Sequence, residues 1–180
     1  MLTYDLSEAE TPWAYAVLLH PHPDMGGDRH NNVVSALYEA LPPEGVTALR
    51  FDFSTSNVDT AASETREALD LLEDQPRLIV AYSFGGGIAA TIDDPSVAGW
   101  FLIAPALTMV QPVIGDDPRP KAIVAAEHDH FFSPARLEGA SEGWEETEHM
   151  TVAGADHMFV GRADVVASLA VDWLAARFGR

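Results

Sequence analysis

Leu78-Ile79-Val80-Ala81-Tyr82-Ser83-Phe84-Gly85-Gly86-Gly87 is an apolar run that reaches a serine and then turns glycine-rich. It reads as a buried strand bending sharply into a helix, with a hydroxyl at the apex of the turn. A serine lifted above a sheet edge in this way leaves no room for bulk two residues to either side, where strand and helix meet. Ala81 and Gly85 meet that demand. Alanine at the first position of the usual Gly-x-Ser-x-Gly costs one methyl group of clearance.

Outward from this turn, apolar runs of strand length alternate with helix-like segments. Trp13 to Leu19, Val46 to Phe53, Leu78 to Tyr82, Val97 to Ala104, Ala122 to Ala126 and Met150 to Val152 are the expected strands. Asn31 to Leu41, Thr60 to Glu73, Phe84 to Ile92 and Ala163 to Phe178 are the expected helices. Most of the strands are continuously apolar, as strands covered on both faces should be. The alternation predicts an α/β fold: a mainly parallel sheet of about six to seven strands with helices on both faces, in a single domain over residues 1–180. Thr60 or Ser63 is the expected cap of the second helix. In the last helix Val165, Val166, Leu169, Trp173 and Leu174 form the expected core-facing stripe. The stretch from Pro105 to Lys121 is too short for a cap domain and leaves room only for a flap.

Two further polar segments follow apolar runs. Asp129 lies in Glu127-His128-Asp129-His130-Phe131-Phe132, and His157 in Gly154-Ala155-Asp156-His157-Met158-Phe159. Serine, then aspartate, then histidine is the chain order of an α/β-hydrolase triad. Ser83 would attack, His157 would carry the proton, and Asp129 would orient the imidazole, with Glu127 in reserve. Asp156 adjoins His157, but neighbours in an extended loop point apart. The N–H of Phe84 is the expected first oxyanion donor. The second should come from the loop His20-Pro21-His22-Pro23-Asp24-Met25-Gly26-Gly27, and since proline has no N–H, His22 is the choice. Met25, Phe84, Phe131, Phe132 and Met158 are the expected lining of a shallow pocket suited to a short acyl group.

Composition bounds the rest. The 180 residues carry 28 acidic against 10 basic side chains, a formal charge of −18, and no cysteine. Disulfides and thiolate chemistry are excluded. Such a surface repels polyanions, so nucleic acid and anionic lipid are poor partners, and a small-molecule ester is the expected one. No apolar run approaches the roughly 20 residues that span a bilayer. The opening Met1-Leu2-Thr3-Tyr4-Asp5 lacks the basic-then-apolar pattern of a secretory signal, which predicts a cytoplasmic protein. The pairs His20 with His22 and His128 with His130 have the spacing to chelate a metal. With no cysteine and no His-Glu-x-x-His helix, neither a metal nor another cofactor is expected.

Taken together, His20-Pro21-His22-Pro23 with Gly26-Gly27 and Asn32-Val33-Val34, Arg50-Phe51-Asp52-Phe53, Tyr82-Ser83-Phe84-Gly85-Gly86 and Gly154 to Arg162 resemble the small lidless α/β-hydrolases related to the dienelactone hydrolases. The resemblance implies the α/β-hydrolase fold without a cap domain and triad roles for Ser83, Asp129 and His157. One segment departs from it. Where such proteins follow the strand that corresponds to Arg50-Phe51-Asp52-Phe53 with an Arg-Gly-rich loop, this chain has Ser54-Thr55-Ser56-Asn57-Val58-Asp59. Loops at that edge are expected to shape the pocket mouth. The expected function is hydrolysis of a small carboxylic ester or thioester through an acyl-enzyme. A lactonase or peptidase on the same triad, or a non-catalytic binding module on the same scaffold, are the alternatives.

Overall fold

The computed structural model describes residues 2–73 and 75–179. Among these residues seven strands form one sheet: β1 (Tyr4–Ser7), β2 (Ala14–Leu19), β3 (Val46–Phe51), β4 (Arg77–Tyr82), β5 (Val97–Ile103), β6 (Lys121–Ala126) and β7 (Thr147–Val152). Their order across the sheet is β1-β3-β2-β4-β5-β6-β7. All neighbours run parallel except β1, which lies antiparallel to β3 at one edge. The helices are α1 (Asn32–Ala40), α2 (Val58–Asp70), α3 (Phe84–Ala89), α4 (Pro134–Ala140) and α5 (Ala163–Phe178).

Successive side chains of a strand point to opposite faces, so β4 serves two cores at once. Leu78, Val80 and Tyr82 join α1 and α5 in one layer, through Val33, Leu37, Val166 and Leu174. Ile79 and Ala81 join α2, α3 and α4 in the other, through Ala61, Leu69, Ile88 and Leu137. Every residue of β2 and of β6 is buried, which accounts for the unbroken apolar character of β2 and of β6 beyond its first residue, Lys121. No helix among the described residues is long and apolar enough to cross a membrane.

Several boundaries differ from those read in the sequence, each for a local reason. Helix α2 begins two residues before Thr60. Its cap is Asn57, whose side chain accepts from the Thr60 N–H at 3.0 Å, rather than Thr60 or Ser63. The buried stripe of α5 is Val166, Ala167, Ala170, Trp173 and Leu174. Val165 faces solvent and Leu169 only borders the core, because α5 packs closely against α1 and turns Ala167 and Ala170 to its buried side. Strand β1 and helix α4 are additions to the expected set.

At the opposite end of the sheet from the Ser83 turn, Lys121 opens β6 with no exposed surface. Its Nζ donates to the carbonyls of Asp117 (2.5 Å) and Arg119 (2.8 Å) and lies 5.8 Å from the Trp100 ring centre. The Arg119 guanidinium stacks over the same ring at 4.6 Å and hydrogen-bonds the Asp117 carboxylate, pulling that acid down to about 2. Burial pushes the Lys121 ammonium below its ordinary value.

Candidate active site

The C-terminal ends of the parallel strands gather the loops that carry chemistry. Strand β4 ends at Tyr82, and the next residue, Ser83, takes φ 54° and ψ −113°, a conformation that few residues other than glycine adopt. The backbone holds it there from both sides: Ser83 N–H donates to Ile103 (2.9 Å), and the Ser83 carbonyl accepts from Ala106 N–H (2.9 Å) and Gly87 N–H (3.0 Å). The close approach explains Gly85. A Cβ there would stand 2.7 Å from the Leu19 Cβ and 2.8 Å from the His20 carbonyl oxygen.

Ser83 Oγ lies 3.1 Å from His157 Nε2, and His157 Nδ1 lies 2.7 Å from Asp129 Oδ2. Asp129 reaches this position from the loop after β6, and His157 from the loop after the neighbouring β7. The Asp129 carboxylate is fully buried, and its other oxygen accepts from the N–H groups of Phe131 and Phe132, both at 2.8 Å. Burial works to raise its pKa, but the hydrogen bonds from His157, Phe132 and Phe131 prevail and hold it below the ordinary carboxylate range. A carboxylate at Nδ1 fixes the proton on that nitrogen and leaves Nε2 free to accept from the serine hydroxyl.

The imidazole is braced on all sides. Phe131, Phe132 and Tyr82 lie with ring centres 5.2, 5.6 and 5.7 Å from it, and the Tyr82 hydroxyl donates to the His157 carbonyl at 2.6 Å. Burial pushes the Tyr82 phenol far above its ordinary range, so it stays a donor. Asn32, at the start of α1, donates to the Met158 carbonyl (3.0 Å) and ties the same loop from the other side. Glu127 is turned away: its carboxylate accepts from the Gly154 N–H at 2.7 Å. Asp156 likewise serves its own loop, accepting from the Met158 N–H.

The loop after β2 closes the site. His22 and Phe84 both line the cavity, and among the described residues neither backbone N–H has a protein acceptor. The loop is held by His20, a residue whose role the sequence did not reveal. Its ring is buried, with Nε2 accepting from the Phe53 N–H at 2.9 Å and Nδ1 donating to the Pro21 carbonyl at 2.6 Å. Burial lowers its pKa from 6.5 despite opposing pulls from the Pro21 carbonyl and the carboxylates of Asp52, Asp28 and Glu64. The ring is therefore neutral with its proton on Nδ1. Gly27 returns so close to the same carbonyl that a Cβ would sit 2.3 Å from the Pro21 oxygen.

A cavity of about 310 Å³ opens above Ser83. Met25, Phe84, Phe131, Phe132 and Met158 line it, as do Tyr82, Asn31, Ala106 and Met109, which the sequence left unassigned. Met109 comes from a 3-10 turn (Leu107–Met109) in the short stretch between β5 and β6. Residues 54–59, expected at the pocket mouth, do not line the cavity. Ser56 donates to the carboxylate of Asp24, the neighbour of the lining residue Met25, and Ser54 is held by Glu64 on α2. Among the described residues, no three His, Asp or Glu side chains gather as metal ligands would. His20 is spent on backbone groups, and His128 and His130 face solvent.

No protein-family model matches the chain. An uncharacterized protein of Rickettsia prowazekii is 26% identical, over 88% of this chain and 77% of that one. An α/β serine hydrolase homologue from Coxiella burnetii superposes with a TM-score of 0.83 at 23% identity, covering 97% of this chain and 92% of its own. A Xanthomonas campestris protein described as an α/β serine hydrolase without lid gives 0.75 at 20% identity, over 98% and 88%. The agreement extends over nearly the whole chain, and among the described residues no segment is left over to form a cap. In sheet order, strand-to-helix turn and three-dimensional likeness, the chain has the α/β-hydrolase fold, with no cap domain among the described residues.

Proposed function

We propose that the protein is a serine hydrolase that cleaves small carboxylic esters or thioesters through a covalent acyl-enzyme. The observation that carries this reading is the hydrogen-bonded line from Ser83 to His157 to a buried Asp129, with the serine at a strained turn on the cavity floor.

In the first half-reaction Ser83 Oγ attacks the carbonyl carbon while its proton passes to His157 Nε2. The imidazolium so formed is stabilised by the Asp129 carboxylate. Negative charge on the former carbonyl oxygen is taken up by the unpaired N–H groups of Phe84 and His22, whose positions are fixed before the substrate arrives. The tetrahedral intermediate collapses, the bond to the alcohol or thiol breaks, and that group leaves with the proton from Nε2. A water molecule repeats the sequence on the acyl-enzyme, giving its proton to His157 and releasing the carboxylic acid with Ser83 restored. The small cavity and the absence of a lid favour a short acyl group over a long chain.

The test is labelling by a fluorophosphonate together with stopped-flow release of nitrophenolate from nitrophenyl esters of two to twelve carbons. Stoichiometric labelling and a burst, both abolished in Ser83→Ala, support the reading. A well-folded protein that does neither would be a binding module on this scaffold.

A further inference from the structure

Among the described residues, the lining of the cavity above Ser83 contains no carboxylate, guanidinium or ammonium group. Its only ionisable side chains are His22, His157 and the Tyr82 phenol. Around the opening stand four large apolar side chains in solvent: Met25 (80% exposed), Met109 (62%), Phe131 (58%) and Met158 (51%). Single exposed apolar residues are ordinary, but several gathered at one mouth form a patch of the kind that binds an apolar ligand. Three of the four are thioethers, which are unbranched, polarisable and able to reshape around different apolar groups.

Charge points the same way. The rim loops carry exposed carboxylates, Asp24 next to Met25 and Asp156 two residues before Met158, on a chain of net charge −18. Arg136, on α4, is exposed and donates to the Phe131 carbonyl at 2.8 Å, but it is not part of the cavity wall. An anionic substrate would approach against the field of the whole surface, shed water at an apolar mouth and meet no cation inside.

We propose that the site accepts electrically neutral esters with apolar acyl groups and rejects esters that carry a carboxylate, a selectivity that rests on the serine-hydrolase reading above. A carboxylate stripped of water with no countercharge lowers kcat/KM by about 100-fold or more relative to a neutral group of similar size.

Three nitrophenyl esters of matched acyl length test this: the valerate, the hemiglutarate with its free carboxylate, and the methyl-capped glutarate. The capped ester separates size from charge. The expected result is similar kcat/KM for valerate and capped glutarate, with the hemiglutarate lower by about 100-fold or more. Met109→Arg, which places a guanidinium on the rim, should narrow that gap by about tenfold. Turnover of the hemiglutarate within a few-fold of the capped ester, or a gap that Met109→Arg leaves unmoved, overturns the selectivity while leaving the hydrolase intact. Failure of all three esters together with failure of fluorophosphonate labelling overturns the hydrolase reading itself, and the selectivity with it.

Discussion

His20 offers a perturbation whose two halves can be separated. Its Nδ1–H holds the Pro21 carbonyl and its Nε2 accepts from the Phe53 N–H, so one buried ring links the loop after β2 to the end of β3. A trans peptide is planar, with C=O and N–H on opposite sides, so fixing the Pro21 carbonyl fixes the direction of the His22 N–H. On the proposed mechanism that N–H is half of the oxyanion hole. His20→Ala removes both bonds and leaves the Phe53 N–H buried without an acceptor, at a cost of about 1–3 kcal/mol in stability before the lost packing against Phe53 is counted. Releasing one oxyanion donor should lower kcat by about 100- to 1000-fold with little change in KM. The amide variants divide these effects. His20→Asn places an N–H near the Nδ1 position and should keep kcat within about tenfold while losing stability. His20→Gln places an oxygen near the Nε2 position and should keep most of the stability while losing kcat. Steady-state kinetics on a nitrophenyl ester, paired with thermal melts, read both quantities. Equal kcat in the Asn and Gln variants, or wild-type kcat in folded His20→Ala, would refute the reasoning.

Asp129→Asn should preserve the fold yet lower kcat by up to about 10⁴-fold, because the amide no longer enforces a proton on Nδ1; a loss under tenfold in single-turnover acylation would contradict the proposed role. Acid should destabilise the protein in two stages, followed by melts between pH 8 and 3. His20 is held below its ordinary 6.5 in the fold, so its contribution is present above that pH and is lost as pH falls from there through the folded value. Asp129 is held below its ordinary 3.8, so its contribution persists above that pH and is lost only as pH falls through its lower folded value. His20→Gln should flatten the upper stage alone, and an unchanged profile in that variant would count against it. Gly85→Ala should destabilise by about 1–3 kcal/mol or more, since the added methyl meets backbone at 2.8 Å as well as the Leu19 side chain; a melt within a degree of wild type would show that β2 gives way more easily than its packing implies.

What was legible in the sequence follows the range over which each signal acts. The Ser83 turn is written within ten residues, because the strand before it must be apolar on both faces and the positions beside it must be small. The parallel strands were legible for the same reason. Strand β1 was not: Tyr4–Ser7 is half exposed along its length, pairs antiparallel at the edge, and is secured by Asp5 accepting from Arg29 and Arg50, partners far off in the chain. Helix α4 buries only Leu137, so it has no apolar stripe to betray it. Asn57 outcompeted Thr60 as a cap because the chain leaves β3 through a polar loop that places Asn57, not Thr60, at the first free N–H groups. The identity of three site residues was local, but their meeting was a matter of topology: β6 and β7 had to be neighbours beyond β4 and β5 for Asp129 and His157 to converge on Ser83. His20 was opaque because its second partner, Phe53, lies 33 residues away.

The clamp beneath Trp100 has a practical consequence. The chain has one lysine, and in the folded sheet its amine is sealed from solvent by carbonyls and an indole. Acylating reagents will therefore find no lysine to modify until β6 separates from its neighbours, and then they will find one. The speed at which mass is added at Lys121 in trace denaturant becomes a gauge of how often the β5-β6-β7 side of the sheet comes apart, obtained from the natural chain without an engineered label.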